Sequence, residues 1–450
     1  MRTRSHSKSK SAQQRFAPGW RGLVLGAGAG NWPATAGFER CAMVLSPPRS
    51  GKTSAIVIPC VLGAPGAVVS TSTKTDVADV TAWVRSRRGR CWVFDPLART
   101  APAPPLVAAH WSPVSGCEDW DAAVAMAHAL VQAARPPDGT FFESHWRERA
   151  DALLAPLLHA AGLASLEIGW VLAWVLRREL SEPLAVIRSR AGAPLAAAVL
   201  DGMAATDHRE RSGIFSTAAG VLRAYRSQAA LDNAAVPDFD PWSFVRSSDT
   251  LYIASPGTDQ DLVAPIVVGL LDQVRRATYA RGPGAAPVVF ALDEVANIAP
   301  LPDLAQIVAE GASQGLVTLV CFQDLAQARA RWGVAAEGFF SYFGAKVILA
   351  GIEDLRTLEL ISALVGEHDV PVRSVTYPRN QLFVPNARRA VPSVTYSTQR
   401  RPRLSVAEVA RGVPGSALTI VGATDMGWTR LVPYWGAPWN EVLASARPGP

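Results

Sequence analysis

No stretch of the 450 residues stays apolar for the roughly 18 positions that a membrane-spanning helix requires. The best candidate, Ile168–Leu176, is half that length and runs into Arg177, Arg178 and Glu179. The N-terminus has no apolar core of a secretory signal, so a soluble chain is expected. Cysteines are few, and Cys41, Cys60, Cys91, Cys117 and Cys321 show neither a C-x-x-C pair nor a metal-ligand spacing. They read as small buried hydrophobes of a reducing compartment. Acidic residues are missing from Met1 to Phe38, which carries six Lys or Arg, and from Val370 to Ala407, which carries seven Arg. Both stretches are expected to meet polyanions, either DNA or anionic lipid. Charged residues make up only 18% of the chain against 49% apolar, which excludes a disordered protein, and the net charge is +6.

What is present is organised around Leu45–Thr53 (LSPPRSGKT). Cys41–Leu45 reads as a buried strand, and Ser54–Ile58 as the start of a helix that Pro59 bends or ends. A turn between a strand and a helix start, closing on Gly51, Lys52 and Thr53, suits a phosphate group. Backbone N–H groups and the positive helix end face the anion, Lys52 reaches the β and γ oxygens, and the Thr53 hydroxyl can ligate Mg²⁺. Pro48, Arg49, Ser50, Gly51, Lys52, Thr53 and Ser54 are therefore the expected nucleotide-binding stretch. Ser46 stands where the pattern G-x-x-x-x-G-K-[ST] opens with glycine. The plain alternative is a helix start that Thr53 merely caps.

Such a loop needs an acidic partner on a second buried strand. Pro287–Leu292 is a short apolar run that ends in Asp293 and Glu294. Asp293 is expected at the metal, and Glu294 is placed to orient or deprotonate an attacking water. Leu316–Phe322 is a further strand that delivers Gln323, a candidate sensor of the γ-phosphate, or else only the residue before a helix start at Asp324. Asp95, at the end of the strand Cys91–Asp95, either faces the same cleft or caps the turn before Pro96.

Strands alternating with helices predict an α/β fold with a parallel sheet. From Glu118 to about Leu231 the β-branched runs vanish and apolar residues recur at helical spacing, as in Trp146, Ala150, Leu153, Leu154, Leu157 and Leu158. An all-α insertion of five or six helices is expected there, interrupting one core. The organisation reads as a basic tail and entry segment (1–40), a first part of the nucleotide-binding domain (41–117), an inserted domain (118–235), the second part of the core (236–440) and a tail (441–450). Arg373, Arg379, Arg388, Arg389, Arg400, Arg401 and Arg403, interleaved with Tyr377, Phe383 and Tyr396, could track a phosphate backbone or form a solvated hairpin. No Leu-Ser-Gly-Gly-Gln stretch exists, which disfavours a transporter-type ATPase.

Pro47–Pro59 (PPRSGKTSAIVIP) resembles the phosphate loop of the type IV secretion coupling proteins, the TraG/TraD group. Leu292–Pro302 (LDEVANIAPLP) resembles their acidic motif, and Gln323, Phe94–Pro96, Asp354–Thr357 and Ile361–Ser362 fall in corresponding places. The likeness covers roughly Cys41 to Pro433. It implies a RecA-like ATPase akin to FtsK and HerA motors, with ATP and Mg²⁺ as cofactors. It also implies a homo-hexameric ring that receives relaxase and transferred DNA through the helical insertion and passes them to a type IV secretion channel. Relatives usually begin with transmembrane helices and this chain shows none, so with a cytoplasmic position at the inner face of the plasma membrane its anchor is expected to be either a separate polypeptide or lost. Where some relatives place an arginine after a glycine past the acidic motif, this chain has Gly311 and Ala312, which leaves Arg329 or Arg331 to substitute. Other readings are an FtsK-like pump of double-stranded DNA, or a nucleotide-dependent cargo adaptor that hydrolyses weakly.

Overall fold

Mostly apolar runs such as Val288–Leu292 and Leu316–Phe322 are buried without interruption, as strands covered on both faces should be, and they lie in the middle of a ten-stranded sheet. The computed structural model describes residues 22–28, 33–134, 141–190, 193–376, 393–422 and 425–446. The basic segment up to residue 21 and Tyr377, Arg379, Phe383, Arg388 and Arg389 lie outside the described residues.

In chain order, β1 (Gly22–Ala27) and β2 (Pro33–Gly37) form a separate antiparallel pair. β3 (Ala42–Leu45), a π turn (Thr53–Val57), α1 (Ile58–Gly63), β4 (Val68–Ser72), α2 (Asp76–Arg85), β5 (Cys91–Phe94) and β6 (Leu106–Ala108) follow. Helices then take over: α3 (Trp120–Ala133), α4 (Phe141–Leu163), α5 (Ile168–Arg177), α6 (Ser181–Ser189), α7 (Pro194–Ala205), α8 (His208–Val221), α9 (Gln228–Ala235) and α10 (Pro241–Phe244). The core resumes with β7 (Thr250–Ala254), α11 (Gln260–Arg281), β8 (Val288–Leu292), α12 (Val295–Ile298), α13 (Leu304–Glu310), β9 (Leu316–Phe322), α14 (Leu325–Trp332), α15 (Phe339–Tyr342), β10 (Ala345–Ile348) and α16 (Leu355–Val365). An antiparallel ribbon of β11 (Glu367–Thr376) and β12 (Ser393–Pro402) precedes α17 (Val406–Arg411), β13 (Ser416–Val421), β14 (Asp425–Arg430) and α18 (Trp439–Ala444).

The sheet order is β14-β13-β10-β3-β9-β8-β4-β7-β5-β6. The eight strands from β10 to β6 are parallel, and the β13–β14 hairpin adds to β10 in antiparallel fashion. The early alternation of strands and helices thus builds a parallel sheet, but its three strands are not neighbours: β9 and β8 enter between β3 and β4, and β7 enters between β4 and β5. Side chains alternate across the sheet, so Met43 and Leu45 join one core while Ala42 and Val44 join the other. The first core runs on into the helical insertion. Gly269 on α11 makes that continuity possible, because a Cβ there would stand about 3.1 Å from Trp111 and from Met126 of α3.

Three expectations are corrected in detail. Among the described residues between Trp120 and Ala235 there are seven α-helices, not five or six. Short breaks such as Arg178 at φ 57 leave the apolar spacing intact and so hide the boundaries. Pro59 does not end its helix, because it sits in the first turn of α1, where a missing N–H costs little. The π turn before it leaves the Ser54 carbonyl to accept from the Tyr434 N–H at 2.9 Å. The C-terminal segment is not simply a tail: α18 packs against α2 and buries Trp439. All five cysteines are buried and free, and no helix among the described residues is long and apolar enough to cross a membrane.

Candidate active site

The loop after β3 starts as a continuation of the sheet, with the Ser46 N–H donating to the Phe322 carbonyl at 3.0 Å. Ser46 is fully buried, and its hydroxyl lies 2.6 Å from that of Ser50. The residue that replaces the usual glycine therefore ties the two sides of the loop together. Arg49 and Gly51 adopt positive φ (62° and 92°), a backbone shape that gathers N–H groups around a concavity. Pro48 and Arg49 form its exposed crown. The Ser54 hydroxyl donates back to the Gly51 carbonyl at 3.1 Å and fixes the start of the π turn, a helix variant frequent at functional sites.

Thr53 Oγ1 donates to Asp293 Oδ2 at 2.7 Å, across 240 positions of chain. Lys52 Nζ donates to Glu294 Oε1 at 2.8 Å and stands 3.5 Å from Asp293 Oδ1. These groups meet because β9 alone separates β3 from β8, so both strands end at the same rim of the sheet. Glu294 adopts φ 54°, a left-handed conformation that a non-glycine residue holds only at a cost of about 1–3 kcal/mol, and its N–H donates to Asp293 Oδ1. Gln323 follows β9 and so lies at the rim between the two motifs. Its N–H donates to Gln327 Oε1 at 3.0 Å, while Asp324 caps α14.

The electrostatics set the two partners apart. Burial works to lower the Lys52 pKa, but Asp293 and the hydrogen bond to Glu294 outweigh it, and the ammonium is held well above its ordinary range. Burial raises the Asp293 pKa above its ordinary 3.8, and Lys52 and the Thr53 hydrogen bond only partly offset it. The carboxylate loses the contest that the ammonium wins because it is the deeper group and has Glu294 as a like-charged neighbour. A carboxyl whose folded pKa is raised binds its proton better in the folded chain, so stability falls as pH rises from the ordinary aspartate range through the raised value. Asp293→Asn should therefore flatten the fall of stability with pH above the ordinary aspartate range. Chemical denaturation of both proteins as a function of pH checks this, and an unchanged slope would refute it.

Several contacts had no obvious signal in the sequence. Thr71 Oγ1 on β4 donates to the Asp293 carbonyl at 2.8 Å and braces the acidic turn. The only hint was the hydroxyl cluster Ser70, Thr71, Ser72 at the end of an otherwise apolar strand. Asp95 is a turn cap: its carboxylate accepts from the N–H groups of Leu97 and Thr100. Arg329 pairs with Asp354 at 2.9 Å and Arg331 donates to the Ala133 carbonyl at 2.8 Å, so within one chain both are engaged away from the loop.

The family model described as "Type IV secretory system Conjugative DNA transfer" matches residues 4–411. Protein VirD4 of Rhizobium rhizogenes is 24% identical over 388 residues, covering 78% of this chain and 52% of the relative. Conjugal transfer protein TraG of Escherichia coli is 23% identical over 427 residues, covering 88% of this chain and 65% of the relative. The chain thus spans between about half and two thirds of the length of these curated relatives. Among solved structures, the unbound bacterial conjugative coupling protein TrwBdeltaN70 superposes with a TM-score of 0.69 at 16% identity, covering 94% of this chain and 90% of that one. Plasmid coupling protein TrwB in complex with ADP and Mg²⁺ superposes with a TM-score of 0.67 at 16% identity, covering 96% and 94%. At such identity the likeness speaks for the fold, an α/β core of RecA-like type with its parallel-dominated sheet.

Proposed function

Because the chain belongs to the type IV secretory system conjugative DNA transfer family, we propose that it is an ATP-hydrolysing coupling protein that delivers DNA and its relaxase to a type IV secretion channel. The observation that carries this reading is the meeting of Lys52 and Thr53 with Asp293 and Glu294. Pro48, Arg49, Ser50, Gly51, Lys52, Thr53 and Ser54 hold the phosphates, and the fit is supported by the positive φ of Arg49 and Gly51. Thr53 and Asp293 hold the Mg²⁺, and their hydroxyl and carboxylate oxygens are the hard donors that this ion takes. Bound Mg²⁺ neutralises phosphate charge and aligns the terminal phosphate for attack.

The chain's own residues divide the remaining work. Lys52 donates to Glu294, so a phosphate in the loop competes with that carboxylate for the ammonium. Glu294 orients and deprotonates the attacking water. Gln323 senses the γ-phosphate from the rim beside it, its backbone steadied by Gln327. Six copies form a ring in the cytoplasm at the inner face of the membrane. Exposed Trp170 and Leu195 make the helical insertion a surface for relaxase, and Arg373, Arg400, Arg401 and Arg403, with exposed Tyr396, suit the ribbon to transferred DNA.

The adaptor reading keeps one specific support, since Ala312 replaces an arginine and both Arg329 and Arg331 are engaged within the chain. Equilibrium binding of ATP with Mg²⁺ and phosphate release, with and without single-stranded DNA, decide between the two. Binding that weakens about 10- to 100-fold in Lys52→Ala, together with DNA-stimulated release, supports the motor. Binding without release leaves the adaptor, and absence of binding refutes both.

A further inference from the structure

The crevice between β3 and β9 exists because the chain leaves β3 toward one face of the sheet, where Ile56 and Val57 pack, and leaves β9 toward the other, where Leu325 packs. The same divergence occurs a second time. After β4 the chain turns to the first face through α2, and after the adjacent β7 it turns to the opposite face through α11. Such switch points open crevices at the carboxyl ends of parallel strands. A cavity of about 280 Å³ lies at this one, on the α2 side.

Its floor is hydroxylic and carries no charge: Ser70 and Ser72 of β4, and Tyr252 of β7, whose hydroxyl is 2.6 Å from Thr81 Oγ1. Ser70 is 2% exposed, and its Oγ finds no hydrogen-bond partner among the described residues. The sides are apolar, with Ala82 and Trp83 on α2, Pro102 and Pro105 before β6, and Leu106 at its start. Asp95 fixes that proline-rich wall through the Thr100 N–H at 2.7 Å. The lining charges, Lys74 and Asp79, are both exposed at the rim.

We infer that this cavity is a second ligand site, separate from the phosphate loop, for an uncharged heterocycle with a hydrogen-bonding edge, the chemistry of a nucleobase or nucleoside. A buried charge would find no counter-charge on the floor, and a hydrocarbon would leave the Ser70 hydroxyl unpaired. The volume lies at the small end of ligand pockets, which suits one or two fused rings. The site is also wired to the acidic turn. On β4, Ser70 and Ser72 line the cavity while the residue between them, Thr71, holds the Asp293 carbonyl. Occupancy is therefore coupled to nucleotide affinity; this second half rests on the function proposed above, whereas binding in the cavity does not.

Isothermal titration of the full chain with adenosine, guanosine, cytidine and uridine tests it. At least one should bind with a Kd on the order of 0.1–1 mM, as fits a ligand of this size. Ser70→Val should weaken that binding by about tenfold or more, and Lys52→Ala should leave it within about twofold. Should Ser70→Val fail to fold, Ala82→Met, which fills the cavity from α2, replaces it with the same expectation. No binding by any of the four, undiminished binding in the cavity variant, or loss in Lys52→Ala overturns the site. ATP affinity that stays within about twofold at nucleoside saturation overturns the coupling.

Discussion

Glu294→Gln is expected to turn over ATP about 10²- to 10⁴-fold more slowly than the parent, the range that a positioned general base contributes. Binding should move in the opposite direction. Glu294 is the closest partner of Lys52, at 2.8 Å, and amide substitution removes the charge that holds the ammonium away from the phosphates. Asp293, at 3.5 Å, still neutralises it. The variant should therefore bind ATP with Mg²⁺ at least as tightly as the parent while releasing phosphate at a small fraction of its rate. Single-turnover kinetics beside equilibrium binding measure the two separately. Equal turnover in variant and parent would remove Glu294 from the chemistry, and weaker binding would show that the Lys52 pair does not compete with nucleotide.

Arg85→Met is expected to lower stability by about 3–5 kcal/mol, the scale of stripping a buried polar network of its central cation. Arg85 is fully buried at the end of α2. Its guanidinium donates to the carbonyls of Ala64, Gly66 and Ser248 and to Thr250 Oγ1, at 2.7–3.0 Å. It thereby gathers the segments that enter β4 and β7 at the amino edge of the sheet. Burial pulls its pKa down to about 10, so the side chain remains charged at neutral pH and all four bonds are charge-assisted. Methionine fills much of the volume but removes the donor of the Gly66 and Ser248 carbonyls and of Thr250 Oγ1, and leaves the Ala64 carbonyl with Arg88 alone. Arg85→Lys should recover only part of the loss, because one ammonium cannot span a fork that reaches four acceptors. Urea denaturation gives the numbers, and a loss below about 1 kcal/mol for Arg85→Met would mean that water satisfies those carbonyls instead.

The phosphate loop and the acidic motif could be read from the chain because each is a local signal: a strand of four or five apolar residues, a short polar turn, and residue types that only a phosphate or metal would bring together. That the two motifs meet followed from the expectation of one parallel sheet, and Thr53 and Asp293 do touch. Strand order was not legible. Which strands pair is decided by packing between segments far apart in sequence, and Val68–Ser72 carries no mark of receiving Val288–Leu292 on one side and Thr250–Ala254 on the other. Arg85 was hidden for a related reason. An arginine near the end of an amphipathic helix looks like an ordinary exposed cation, and its acceptors are backbone carbonyls, which every sequence has. Ser46 shows the reverse case, in which a departure from a known pattern looked like a defect and proves to be a cross-tie to Ser50.

The order of the ten strands also has a consequence for how the polypeptide is made. When the ribosome has delivered Ala42–Ala108, β3, β4 and β5 have emerged, yet none of them is the neighbour of another in the finished sheet. The partners of β3 and β4 are encoded beyond the helical insertion, and β3 cannot be enclosed on both sides until β9 and then β10 arrive. β3, an apolar strand meant for a sealed interior, must therefore wait through more than half of synthesis without its mates. Slow pairing over such separations leaves that strand exposed to aggregation while the rest of the chain is made.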